Sequence, residues 1–294
     1  MKIVQADQLP LERGLEYRGG MFHFRRVLEG EPGTVGNFQL SLGQSSGDFY
    51  SPRHRHNFEQ IRFQIEGTLE FGRDGKMKPG MVGYFPEGVA YGPQTQAPDQ
   101  APLTAVLQFG GSSGSGYLAR DEVKQGMTEL RQYGEFRDGI FRRNPGVPGK
   151  KNMDGYQAVW EHVNRRPMKY PKGRYEKPVF MDSASYEWVA SDDERGVHEK
   201  LLGVFTERRT QAGFLKLDPG AVHEARGRGV WLVVSGTGTV AGEPLRRLTT
   251  VYLDRGEKVR LAAASEIVIL HLGLPNLAGL ELQTGAATLA AAAE

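Results

Sequence analysis

Two histidines one residue apart, His54 and His56, stand in the stretch SPRHRHNFEQIRFQIEG that runs from Ser51 to Gly67. Alternate side chains of an extended strand share a face, so the two imidazoles point the same way. Gln60, Arg62 and Gln64 follow at the same alternation, with Ile61, Phe63 and Ile65 between them. Neutral imidazoles at that spacing suit a first-row metal such as Fe(II), Ni, Mn or Zn. The plainer reading is a polar interior whose histidines are satisfied by hydrogen bonds. Arg62 raises a separate demand. A buried guanidinium costs on the order of several kcal/mol unless it meets an acid or a bound anion. Glu70 and Glu87 are candidate acids; a carboxylate, enolate or phenolate would be the candidate ligand. The chain has no cysteine, which removes thiolate ligands, cysteine nucleophiles and disulfides.

The elements that must hold these residues are short and rich in β-formers. Glycine (39 residues) and proline (16) punctuate the chain of 294, the pattern of an all-β protein with many turns. In the first region, strands are expected at Asn37–Leu42, Phe58–Ile65, Thr68–Phe71, Met81–Phe85 and Leu103–Phe109. Gly110–Gly116, GGSSGSG, is a breaker. Arg120–Tyr133 then reads as a helix, with Asp121 as a candidate cap. Phe136–Lys177 reads as a long covering loop with one short helix near Tyr156–Val163. A second region, Tyr186–Leu274, has strand candidates at Phe214–Leu217, Val230–Val234, Thr237–Val240, Thr249–Leu253, Val259–Leu261 and Ile267–Leu272. QIEGTLEF (Gln64–Phe71) and VVSGTGTV (Val233–Val240) match as an internal repeat.

At this point the chain resembles the cupin superfamily. Its first motif, G-x5-H-x-H-x3-4-E-x6-G, is matched by His54, His56, Gln60 at the Glu place and Gly67, with Gly47 one residue too far from His54. Its second, G-x5-P-x-G-x2-H-x3-N, is matched by Gly80, Pro86 and Gly88, with Tyr91 at the histidine place and Thr95 at the asparagine place. The resemblance implies two jelly-roll barrels: residues 1–116 carrying the site, 117–185 as linking helices and loop, and 186–294 as a degenerate copy. It implies a divalent metal, Fe(II) first, on His54, His56 and Gln60. Arg62, Tyr91 and Glu59 would do the catalysis, Glu59 only if a bulge turns it inward. In the copy, counting back from Gly236 puts His223, Ala225 and Gly229 at the ligand places, so only one ligand survives. Glu266 and His271 lie nearby in sequence.

The implied activity is that of a metal-dependent dioxygenase acting on a small anionic aromatic or dicarbonyl compound. A metal-dependent isomerase or lyase would use the same residues, and a non-catalytic binding barrel would need no metal. A net charge of +2 gives no reason to expect nucleic acid as a partner. No apolar run reaches the ~18–20 residues of a membrane helix. The Ala286–Ala293 run is short and reads as a tail. Absence of cysteine fits a cytoplasmic protein. Cupins also pair between copies, so a homodimer is allowed.

Overall fold

The structure is a computed structural model and describes residues 1–14, 22–46, 48–96 and 100–282. Gly47 and the alanine-rich tail lie outside them. Contacts divide the chain into two compact units. One is Leu11–Phe180 with the segment that starts at Gly279; the other is Met1–Pro10 with Met181–Ala278. The expected boundaries at 116 and 185 therefore differ from the contact boundaries. Residues 117–180 belong with the N-terminal sheets, and the first ten residues belong with the C-terminal ones. The reason for the second difference is a strand: Lys2–Gln5 pairs antiparallel with Thr249–Leu253.

In the N-terminal unit a seven-stranded sheet runs in the order Val179–Asp182, Met81–Phe85, Glu59–Glu66, Leu103–Phe109, Phe38–Ser45, Phe22–Glu29, Glu12–Arg13. A three-stranded sheet, Lys76–Met77, Leu69–Glu70 and Thr95–Gln96, belongs to the same unit. The fold is cupin-like: all-β in its core, with antiparallel sheets and two short helices. Register puts Gln60 opposite Gln108, Arg62 opposite Val106 and Gln64 opposite Thr104. On the next strand Gln39, Ser41 and Gly43 continue the same face. This face is polar, and the other face, with Leu40, Leu42, Ile61, Phe63, Val82 and Leu107, is apolar and buried. The strand expected at Phe58–Ile65 forms one residue later, and Met81–Phe85 and Leu103–Phe109 form as expected.

Residues 117–180 hold more structure than a loop. Strands Gly134–Arg137, Ile140–Arg143 and Asn152–Asp154 make a small antiparallel sheet. Helix α1 (Arg120–Leu130) is tied at its start by Glu122, whose carboxylate accepts the Ala119 N–H at 2.8 Å, so Glu122 rather than Asp121 does the capping. Helix α2 (Gly155–Asn164) starts at Asp154, whose carboxylate accepts the N–H groups of Tyr156 and Gln157 at 3.0 Å each. The helices bury Val123, Met127, Leu130, Val159 and Trp160 in one cluster with Phe58. The segment thereby packs onto Phe58, two residues beyond His56.

The C-terminal unit repeats the topology. Its large sheet runs Lys2–Gln5, Thr249–Leu253, Gly229–Ser235, Ile267–Gly273, Gln211–Leu217, Val197–Val204, Val189–Ala190. Strand for strand, Gly229–Ser235 takes the place of Glu59–Glu66, and Ile267–Gly273 that of Leu103–Phe109. A four-stranded sheet holds Val222–Arg226, Lys258–Ala263, Gly238–Val240 and Glu243–Leu245. Here the enclosed face is apolar: Leu215, Leu217, Val233, Val251, Leu253, Leu261, Ile267 and Ile269 form one core. The internal repeat is thus a repeat of topology with its interior chemistry exchanged. Among the described residues no helix is long and apolar enough to cross a membrane.

Asp154→Ala should lower unfolding stability by about 1 kcal/mol, the usual worth of an N-cap carboxylate, as read by denaturant titration. His271, beside Trp231 in this core, has its pKa pushed down to about 4 by burial and then by nearby His223. Its unfolded value is about 6.5, so its contribution is complete above that pH. It fades as pH falls from there through about 4, since the unfolded chain takes up the proton first. His271→Leu should flatten the acid side of the stability profile over that range.

Candidate functional site

The polar face of the N-terminal sheet opens onto a cavity of about 140 Å3 whose walls include His54, His56, Arg62, Tyr91, Gln94 and Arg120. Two chain segments bring its parts together. His54 and Tyr91 exchange backbone hydrogen bonds (3.1 and 2.9 Å), and Ser51 and Gln94 do the same (3.0 and 2.8 Å). Arg53 clamps the second segment from outside: it donates to the carbonyls of Gly92 (2.9 Å) and Ala90 (2.8 Å) and pairs with Asp74 at 2.6 Å. Asp74 also accepts the Gly92 N–H at 2.9 Å. The short turn Gly72–Asp74 thus carries the residue that anchors Tyr91's loop.

Within the cavity the Tyr91 hydroxyl is a hub. His54 Nε2 lies 3.1 Å from it, His56 Nε2 3.0 Å, Gln60 Nε2 2.9 Å and an Arg62 terminal nitrogen 3.0 Å. His54 Nδ1 lies 2.6 Å from the Pro52 carbonyl, which can only accept. Nδ1 therefore carries the hydrogen, and in the neutral ring Nε2 accepts the Tyr91 O–H. Arg62 has donors alone, so the Gln60 oxygen faces it, at 3.0 and 3.3 Å. The same oxygen accepts from Gln108 at 3.2 Å. The Gln60 amide N–H then turns toward Tyr91. Arg62 also donates to Gln94 Oε1 at 2.8 Å. Its charge lies 4.5 Å from the Phe85 ring centre, within reach of a cation–π attraction. His56 packs against Phe58 at 4.3 Å and edge-on to Tyr156 of α2 at 5.6 Å.

This donor set does not fit a divalent ion. Among the described residues no group of three or more His, Asp or Glu side chains converges to hold a metal. A tyrosine at the place of a family histidine reaches further from the backbone by about one metal–nitrogen bond, ~2 Å. Its oxygen stands at the point on which the imidazoles converge, at hydrogen-bond rather than ligand distances. Gln60, expected to offer its carbonyl oxygen, presents N–H instead. Arg62 brings a positive charge to the same oxygen. Two fixed N–H donors aimed at one oxygen stabilise negative charge there, which is the converse of a cation site.

Glu59 faces away from the cavity. The strand is regular at Glu59, which pairs opposite Phe109, and its bulge falls at the other end, by Leu103 and Thr104. Alternation therefore keeps Glu59 on the opposite face. There Glu59 and Glu87, both fully buried, share Arg174: its guanidinium lies 2.9 Å from Glu87 and 3.9 Å from Glu59. Ser113, in the GGSSGSG stretch, donates its hydroxyl (2.7 Å) and its N–H (3.0 Å) to Glu87. Burial, followed by the neighbouring Glu59 carboxylate, raises the Tyr84 phenol far above its ordinary range. Glu87 therefore does not serve Arg62, and Glu70 is exposed. No sequence pattern pointed to Arg174, which arrives from the segment after α2. Of the other histidines, His162 Nε2 lies 2.6 Å from a Glu129 oxygen and His198 Nε2 3.3 Å from an Asp218 oxygen.

No family model matches the chain, and no curated protein matches it. Solved structures do. A "putative dioxygenase" from Nostoc punctiforme PCC 73102 is similar over 96% of this chain and 85% of its own, with a TM-score of 0.63 at 11% identity. Oxalate decarboxylase from Bacillus subtilis, in a study of its Mn(II) centres, is similar over 94% of this chain and 78% of its own, with a TM-score of 0.54 at 15% identity. The low-pH structure of the same enzyme gives a TM-score of 0.54 at 13% identity. These likenesses establish the cupin-like fold.

Arg174→Met leaves two buried carboxylates without their shared cation. It should destabilise the protein by about 3–5 kcal/mol, measured by chemical denaturation. Recovery in the triple variant with Glu59→Gln and Glu87→Gln would attribute the loss to the stranded charges; equal loss in both would refute that account.

Proposed function

We propose that the N-terminal cavity is the active site of a cupin-type enzyme that acts on a small organic anion by proton transfer, with Tyr91 at its centre. The observation that supports this reading is the convergence of two imidazoles, one amide N–H and one guanidinium on the Tyr91 oxygen. Arg62 and Gln94 stand together at the cavity wall, where a carboxylate, enolate or phenolate would offset the guanidinium charge. Tyr91 would hand its proton to a substrate oxygen while one of the imidazoles takes a proton from the adjacent carbon, and Arg62 would steady the charge that develops between them. The reaction class is an isomerisation or an elimination next to a carbonyl or carboxylate. Glu59, on the other face of the strand, takes no part.

A second reading is a dioxygenase dependent on Fe(II), Mn, Ni or Zn at His54 and His56. It draws on the fold shared with the Nostoc protein and with the Mn(II)-containing oxalate decarboxylase. Elemental analysis of protein purified without chelator separates the two. The proton-transfer reading expects no stoichiometric divalent metal. It also expects Arg62→Met to weaken binding of small carboxylates, enolates and phenolates by at least about tenfold, or ~1.4 kcal/mol, in calorimetric titration. Tyr91→Phe should abolish solvent-deuterium exchange into a bound β-dicarbonyl or hydroxy acid. A stoichiometric metal lost from the His54→Ala, His56→Ala double variant, with oxygen uptake on catechols or β-diketones, would replace this reading by the second. Saturable binding without exchange or oxygen uptake would make the barrel a binding module.

A further inference from the structure

The C-terminal unit has a cavity of its own, larger than the first at about 470 Å3. Its position in the fold follows from the repeat. Aligning Gly236 with Gly67 places Trp231 where the N-terminal unit has Arg62, Gly229 where it has Gln60, and His223 where it has His54. The partner strand agrees: Trp231 pairs with His271 as Arg62 pairs with Val106. The guanidinium of the first cavity is thus replaced by an indole, and the amide beside it by a glycine. A Cβ at Gly229 would meet Leu272 O at 3.0 Å and His271 Nε2 at 3.2 Å, so the glycine lets the His271 ring pack close against the neighbouring strand.

The polar groups are exchanged as well. Trp231 and His271 stack face to face, 4.6 Å between centres and 12° between planes. His223 Nδ1 lies 2.5 Å from a Glu194 oxygen, so Nδ1 carries a hydrogen directed at the carboxylate. Glu194 is held below the usual carboxylate range: burial pushes it up, but the Glu224 backbone N–H and the His223 ring outweigh this. Among the described residues nothing hydrogen-bonds to either nitrogen of His271, which burial keeps neutral at physiological pH. The cavity lining holds Asp193, Glu194, Glu199 and Glu224 with Lys200 and Arg226. Glu224 is paired with Arg226 at 3.3 Å and with Lys258 at 3.4 Å, while Asp193, Glu194 and Glu199 supply the cavity's acidic side. Where the first cavity presents donors and a cation, this one presents acceptors, carboxylates and an aromatic wall.

We infer that the C-terminal cavity is a second ligand site, built for a small organic ammonium compound seated against the Trp231–His271 stack with its N–H groups directed at Glu194 and His271. Ammonium donors match the acceptors, positive charge matches the acidic lining, and the apolar part of the ligand matches the ring wall. The site stands on this unit's own residues and holds whichever reaction the N-terminal cavity carries out.

The test uses the full chain and benzylammonium, with benzyl alcohol and benzoate as uncharged and anionic isosteres, in calorimetric titration. Benzylammonium should bind saturably. The alcohol should bind at least about tenfold more weakly, and benzoate should not bind at this site. Glu194→Gln should weaken benzylammonium by a similar factor, and His271→Phe, which keeps the stack, should weaken it by less. In case a variant does not fold, nitrogen chemical shifts of the wild-type His223 and His271 rings should move with benzylammonium and not with benzyl alcohol. Absence of saturation in the millimolar range, equal affinity for the isosteres, or ring shifts confined to His54 and His56 would each overturn the proposal.

Discussion

The Arg62 guanidinium lies inside the N-terminal unit with Gln60, Gln94 and the Tyr91 oxygen at hydrogen-bond distance, and its charge dictates what surrounds it. A cation withdrawn from water needs oxygen acceptors and aromatic faces within reach. The Gln60 amide must turn its oxygen to Arg62, so its N–H goes to Tyr91. Tyr91 then sits between donors that favour charge on its oxygen and an imidazole that accepts its proton. Each orientation follows from the one before, so the site's polarity has a single origin.

The same architecture serves two opposite interiors. In both units the third strand of the seven-stranded sheet supplies the residue at the heart of the enclosed face. It is Arg62 in one and Trp231 in the other, at matching places in the ladder. Backbone pairing is indifferent to side-chain charge, so one topology accommodates a polar cavity and an apolar core. The apolar version fills much of its interior with Val, Leu and Ile and leaves a cavity walled by Trp231 and His271. The polar version recruits outside support: α1 and α2 against Phe58, and Arg53 with Asp74 against the Tyr91 loop. The buried Glu59–Glu87–Arg174 group ties the opposite face of the strand to the segment after α2. Because two carboxylates share one guanidinium there, that segment cannot be withdrawn without exposing both to an uncompensated interior.

Several of these features were legible in the chain and others were not. The alternation of Gln60, Arg62 and Gln64 with Ile61, Phe63 and Ile65 gave one polar and one apolar face, and the ladder reproduces it. Strands with strong β-formers between glycine turns, such as Met81–Phe85 and Thr249–Leu253, fell where expected. Phe22–Glu29 and Val197–Val204 carry charged residues among the apolar ones and gave no clean alternation. Their strand character comes from pairing with neighbours distant in sequence. The three-stranded sheet within residues 134–154 looked like loop for the same reason. The capping of α1 by Glu122 depends on a side chain folding back to the preceding N–H, a choice that composition leaves open between two adjacent acids.

The sequence by itself determined that Gln60, Arg62 and Gln64 share a face, because a strand's period of two leaves no other arrangement; His54 and His56 lie ahead of the strand Glu59–Glu66 and reach that face through the pairing of 51–54 with 91–94. The sequence also determined that the histidine usual at the end of the second motif is a tyrosine. Only the tertiary structure decided that the tyrosine's oxygen fills the point where the imidazoles meet. That outcome depends on how far the 88–94 segment advances, which backbone bonds to 51–54 and the Arg53 clamp set through contacts tens of residues apart. Tertiary structure likewise decided the roles of the acids. Alternation puts Glu59 opposite the cavity, but a cation from residue 174 was needed to make burial of both Glu59 and Glu87 tolerable. No local pattern records a charge pair that closes across so long a stretch of chain.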